Sequence, residues 1–315
     1  MHTRGTVDCH QHLWPDALVD ALRRRGGRSG GRRGRAPYLD GWTLHLDGEP
    51  PYDVDPAAHD LELRAKQDLA DGVEVTLVSL SSPLGVEHLH PDEARPLVDA
   101  WHTGGLAAHH RRWAAPVLAD PDLGDLAATL ARADVVGLQV PATALADPAA
   151  LERLAPRLAL AEDAGLPVMV HPGPAPVTTT DGLPGWWPAL ASYPAQQAAA
   201  WFAWHVAGRA LLPDLRICFV ALAGLAPLHH ERLVARGGTF GAVDPGVFYE
   251  TSSYAARAVD ATARVVGVDP LVLGSDAPYA EAFDPRNDPG LGEAFAHALG
   301  VANPHRLLTP APPER

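Results

Sequence analysis

The sequence predicts a (β/α)₈ TIM barrel with a long insertion after the first helix. Three observations predict it. Eight short apolar runs alternate with eight longer amphipathic stretches across 315 residues, the arithmetic of such a barrel plus insertions. The runs are rich in Val, Ile and Leu and do not alternate cleanly with polar residues, as strands buried on both faces require. No glycine-rich turn follows the first run, which disfavours the rival doubly wound sheet.

The strand candidates are Thr6–Cys9, Val73–Leu80, Ala114–Leu118, Val135–Val140, Leu166–Val170, Leu215–Val220, Gly246–Tyr249 and Leu271–Leu273. The first helix, Asp16–Arg25, starts acidic and ends basic, both matched to the helix dipole. Further helices are expected at His59–Ala70, Pro91–His110, Leu123–Ala133, Pro148–Ala164, Ala189–Leu211, Leu228–Ala235 and Leu291–Leu299. The whole of 1–315 reads as one barrel domain, with 26–55 as an insertion or lid loop. Seven arginines crowd positions 23–35, a solvated loop or a source of cations for an anionic substrate. A second long Pro- and Gly-rich stretch, Pro172–Pro188, carries Trp186 and Trp187 and has the length of an active-site lid.

Apolar residues make up 47%, enough for a packed core, and the net charge of −13 argues against a nucleic-acid partner. No run approaches the roughly 18 apolar residues of a membrane span. The opening MHTRGTVDCH has no apolar signal core, so the expected location is cytoplasmic. The two cysteines, Cys9 and Cys218, each lie in a strand-like run and are expected as buried thiols. No nucleophile elbow, P-loop or dinucleotide fingerprint is present, so serine hydrolysis, nucleotide hydrolysis and NAD chemistry have no support.

The chemistry sits at strand ends. The first strand closes on Asp8-Cys9-His10-Gln11-His12, where residues two apart share a side, so His10 and His12 aim two imidazoles at one point. The fifth strand delivers His171 before Pro172-Gly173, and the eighth delivers Asp276 within Leu273-Gly274-Ser275-Asp276-Ala277-Pro278. Each alone has a bland reading: a structural histidine, or an aspartate that starts a turn. Together they give three imidazoles and a carboxylate at the catalytic mouth of a barrel, a donor set for a first-row divalent metal.

This ordered set resembles the amidohydrolase superfamily. GTVDCHQHLWP, VMVHPG, LGSDAPY and the closing Asn303-Pro304-His305-Arg306-Leu307-Leu308 resemble its amidohydrolase-related branch, which includes aminocarboxymuconate-semialdehyde decarboxylase-like and sugar-lactonase-like enzymes. The resemblance spans the chain. It implies His10, His12, His171 and Asp276 as ligands of one divalent ion, zinc or manganese, with Asp276 also catalytic beside the bound water. Relatives of this kind are often homodimers. Binuclear members bridge two metals with a carboxylated lysine on the fourth strand, but the only lysine here, Lys66, lies on a helix, so a mononuclear site is expected. The sequence departs from the family after the sixth strand: where a histidine of an H-x-G-G-like segment usually stands, this chain has Ala221. His205, His229 and His230 lie nearby in sequence but look like surface residues.

The resulting expectation is a hydrolase in which the metal activates water against an amide, lactone or related C=O of a small anionic substrate. The alternative is non-oxidative decarboxylation of an aromatic or enoic acid on the same metal, and a third reading is a barrel that binds without catalysis. Trp14, Trp186, Trp187 and Glu250 are the candidate substrate-binding side chains, with packing or loop ordering as their alternative roles.

Overall fold

Eight parallel strands form one sheet in chain order: β1 (Val7–His12), β2 (Val75–Ser79), β3 (His110–Ala114), β4 (Val135–Pro141), β5 (Val168–His171), β6 (Ile217–Phe219), β7 (Val247–Glu250) and β8 (Leu271–Val272). The structure, a computed structural model, describes residues 5–27, 35–47, 49–175, 183–280 and 283–310. The sheet closes on itself just beyond β8. Cys9 N–H donates to the Leu273 carbonyl at 2.8 Å and His12 N–H to the Ala277 carbonyl at 2.7 Å. The expected barrel is therefore observed.

One buried side chain from every strand fills the barrel interior: Val7, Leu77, Trp113, Val136, Met169, Cys218, Phe248 and Val272. A larger apolar layer lies between the strands and the helices, with Leu138 and Val140 of β4 packed against Leu151, Leu154 and Leu158 of the helix Pro148–Asp163. Cys9 and Cys218 are both buried and free.

Four points differ from expectation. The third strand runs over His110–Ala114, not Ala114–Leu118. Its Arg111 and Arg112 hid the apolar pattern, yet Arg112 is 2% exposed. Its guanidinium donates to Asp134 at 2.8 Å and to the carbonyls of Trp101 and Gly104, which makes a buried cation tolerable. The helix expected through His110 stops at Thr103. A helix at Ala256–Val266, unforeseen, lies between β7 and β8 in the chain. The insertion is more than a loop: Tyr38–Asp40, Thr43–His45 and Tyr52–Asp53 form a three-stranded antiparallel sheet. Arg28, Arg32 and Arg33 lie outside the described residues; Arg25 and Arg35 pair with Glu93 at 2.8 and 3.4 Å.

Among the described residues, no helix is long and apolar enough to cross a membrane.

Candidate metal centre

A bulge in β1 builds the site. Val7 pairs with Val75 and Asp8 with Thr76, but Gln11 pairs with Val78, so β1 carries one extra residue across this step. Val7 and Cys9 face the barrel interior. Strict alternation would turn His10 outward; the bulge turns it in, and His12 follows. The outward Asp8 and Gln11 then bond each other at 2.8 Å, and Gln11 donates to Asp68 at 3.0 Å. Asp68 also receives His109 and His110. This cluster anchors β1 from outside the barrel, with Arg64 bonded to Gln11.

The four ligand atoms of His10, His12, His171 and Asp276 lie within 4.8 Å of one another. His12 Nε2 stands 3.1 Å from both His10 Nε2 and Asp276 Oδ1. The three imidazoles face one another edge to face, with centroids 4.9 to 5.0 Å apart. Asp276 adopts φ 57, a left-handed conformation that aspartate tolerates better than most residues, and its N–H donates to the His10 carbonyl at 2.9 Å.

Hydrogen bonds behind the rings fix the tautomers. His10 Nδ1 faces Glu250 Oε2 at 3.2 Å, His12 Nδ1 the Ser79 carbonyl at 3.1 Å and His171 Nδ1 the Pro172 carbonyl at 2.9 Å. The two carbonyls only accept, and an ionised carboxylate only accepts, so each Nδ1 carries the hydrogen. Each Nε2 then presents a lone pair to the common centre. Such second partners orient metal-binding histidines.

Electrostatics favour the neutral form for two of the three imidazoles. Burial pushes His171 well below the usual histidine range, and it lowers His12 against the pull of Asp276. Burial also opposes charge on His10, but the Glu250 hydrogen bond and the Asp276 and Glu250 charges raise it overall. Burial would raise Asp276, yet the His12 hydrogen bond and the three imidazoles bring it down to about 2. Three converging lone pairs and an ionised carboxylate fit a divalent cation, and these four residues would hold it.

The other candidates fall elsewhere. Glu250 is fully buried behind His10, not on a substrate surface; its oxygens also accept Ala221 N–H at 3.2 Å, Ser252 N–H and Ser252 O–H at 2.8 Å. Trp14 is buried, donates its indole N–H to Ser81 at 3.0 Å and stacks on His59 at 4.7 Å. Trp186 and Trp187 are exposed and pair with each other at 6.0 Å, and among the described residues neither ring pairs with Trp14 or an imidazole of the cluster. His205 packs on Trp201 at 3.8 Å, and neither it, His229 nor His230 joins the cluster.

Ala221 opens an unusual turn. Residues 221 to 225 all have positive φ, between 49 and 65. Only Gly224 takes that conformation without steric cost, and a Cβ there would meet the Pro194 carbonyl at 2.3 Å. The backbone expected of a glycine-rich segment is kept, although alanine and leucine occupy most of it. Sequence reasoning missed Tyr279, whose ring lies 5.2 Å from His12. Its place three residues after Asp276 was the available signal. For His59, just after the insertion, there was none.

No family model and no curated protein matches the chain. Solved structures do. A 5-carboxyvanillate decarboxylase from Sphingomonas paucimobilis has a TM-score of 0.73 at 19% identity, over 97% of this chain and 99% of the other. A protein named amidohydrolase II has a TM-score of 0.69 at 18% identity, over 96% and 99%. The 5-carboxyvanillate decarboxylase of Novosphingobium aromaticivorans, complexed with manganese and 4-hydroxy-3-methoxy-5-nitrobenzoic acid, has a TM-score of 0.67 at 15% identity, over 96% of each chain. What these proteins share with the chain is the (β/α)₈ barrel fold, over nearly the whole of each chain.

Proposed function

We propose that the protein is a metal-dependent, non-oxidative decarboxylase of a small hydroxylated aromatic acid. The observation that carries this reading is the convergence of three Nε2 lone pairs and Asp276 at the mouth of a barrel whose structural counterparts include decarboxylases. A divalent ion held there supplies a Lewis acid for the carboxylate and neighbouring hydroxyl of such a substrate. The donor set suits zinc or manganese; the manganese of the Novosphingobium enzyme favours the latter.

Decarboxylation needs a proton at the ring carbon as its bond to the carboxyl breaks and CO₂ leaves. Asp276 is the carboxylate placed to move it, at 22% side-chain exposure and in contact with His12. It can take the proton of the substrate hydroxyl and pass it to carbon. The product phenolate then regains a proton from water. His10, His12 and His171 stay neutral and hold position throughout.

One observation favours hydrolysis as a second reading. Ala221 places a methyl where relatives usually carry an imidazole, and an Asp276 held ionised suits a general base toward water.

The two readings separate on products. Manganese- or zinc-loaded protein is incubated with 5-carboxyvanillate and dihydroxybenzoates, and in parallel with lactones and amides. Release of CO₂ with an equivalent of the phenol, abolished in His171→Ala, supports decarboxylation. Turnover of a lactone or amide with no CO₂ from any acid overturns it in favour of hydrolysis.

A further inference from the structure

The mouth of the barrel lacks an imidazole at position 221 but holds a hydroxyl with an unassigned hydrogen, that of Tyr279. Its ring stands 5.2 Å from His12 and 6.3 Å from Trp14, and its backbone N–H is tied to the Asp276 carbonyl at 3.0 Å. The hydroxyl oxygen lies 3.3 Å from Ser81 Oγ.

The direction of this small chain follows from its starting group. The Trp14 indole N–H can only donate, and it does so to Ser81 Oγ at 3.0 Å. Trp14 itself is clamped: its backbone N–H donates to His59 Nδ1 at 3.1 Å while its ring stacks on the His59 ring. Ser81 is 5% exposed, so its own hydrogen needs a protein acceptor. Trp14 offers none. The Tyr279 oxygen does, and Ser81 therefore donates to it. The phenol hydrogen must point away from Ser81, and Tyr279, at 39% exposure, is the one member of the chain open to the mouth.

We propose that Tyr279 is the hydrogen-bond donor that grips an anionic oxygen of the substrate, carboxylate or phenolate, beside the metal centre. Ser81 and Trp14 are positioning residues that turn its hydrogen outward. This rests on the decarboxylase reading for the class of substrate. It goes beyond that reading in naming the residue that offers a donor in a site without the family's imidazole.

The test uses 4-hydroxy-3-methoxy-5-nitrobenzoic acid, whose nitrophenolate absorbs visible light. It is titrated into manganese-loaded wild type, Tyr279→Phe and Ser81→Ala, with metal content measured on each. A hydrogen bond to a charged oxygen predicts a dissociation constant about 10- to 100-fold weaker in Tyr279→Phe. Metal content stays unchanged, and the bound band moves to longer wavelength as the phenolate loses its donor. Ser81→Ala shows the same displacement to a lesser degree, because the freed hydroxyl can rotate. Equal affinity and an equal spectrum in Tyr279→Phe overturn the proposal while leaving the decarboxylase reading intact. A wild type that neither binds the probe nor releases CO₂ from the acid panel overturns both.

Discussion

Glu250 lies directly behind His10: its Oε2 accepts the Nδ1 hydrogen at 3.2 Å, and the carboxylate is fully buried. Glu250 thereby sets both the tautomer and the basicity of an imidazole more than 200 residues away in sequence. Glu250→Gln keeps an acceptor but removes the charge, and Glu250→Ala removes both. Metal affinity is expected to fall about 10-fold in the first and about 100-fold in the second. Competition against a chromophoric chelator measures it. Unchanged affinity in both variants contradicts the role.

Metal binding should depend on pH through His10. His12 and His171 are held neutral by burial, whereas His10 is raised. Affinity is therefore fullest at alkaline pH and declines as falling pH protonates His10, because the ion and the proton compete for Nε2. Calorimetric titration at a series of pH values checks this, and proton release should accompany binding at the acid end.

Glu87 carries a pH signature of the opposite sign. It is fully buried near the end of β2, with Ser82 and Gln139 as partners, and burial raises its carboxyl from 4.5 to about 7. A folded-state value above the unfolded one contributes stability below the unfolded value, and that stability is lost as pH rises through the folded one. Glu87→Gln should therefore leave stability at pH 4 nearly unchanged and raise it by about 3 kcal/mol at pH 8. Denaturant melts at the two pH values are sufficient.

Burial holds His59 at about 4 and His102 at about 3, so the fold should also weaken on the acid side. Both bases lie below their unfolded value, and their contribution is present above that value and lost as pH falls through about 4 and about 3. His102 accepts the Ala115 N–H at 3.1 Å. His102→Gln should flatten the acid limb of a Tm-against-pH curve.

Ala223 tests the turn after β6. It sits at φ 55 with its methyl buried. Glycine removes about 1–2 kcal/mol of left-handed strain and adds unfolded-state entropy of about 0.5–1 kcal/mol. Ala223→Gly is expected to be neutral or stabilising by up to about 1 kcal/mol, where alanine-to-glycine in a right-handed helix would destabilise. A Tm drop of several degrees contradicts the strain account.

The barrel was legible because parallel strands buried on both faces leave uninterrupted apolar runs, and seven of the eight register in the sequence. The third was misplaced because Arg112 is buried by specific pairing with Asp134 and two carbonyls, a tertiary effect that hydrophobicity cannot reveal. The positions of His10, His12, His171 and Asp276 were legible because strand ends fix where a side chain emerges. The bulge that turns His10 inward was not, since it depends on pairing with β2. Glu250 was visible as a polar residue after a strand, but its direction, backward onto His10, was not. The Trp14–Ser81–Tyr279 chain joins residues up to 265 positions apart and exists only once the barrel closes.

The central claim is a mononuclear divalent metal centre on His10, His12, His171 and Asp276. The most direct measurement is metal content by plasma mass spectrometry, on wild type and on His10→Ala/His12→Ala, each reconstituted with manganese or zinc and freed of excess ion. The account predicts one equivalent per chain in the wild type and none above background in the variant, with both folded by circular dichroism. A wild type that retains no ion, or a variant that retains a full equivalent, contradicts it.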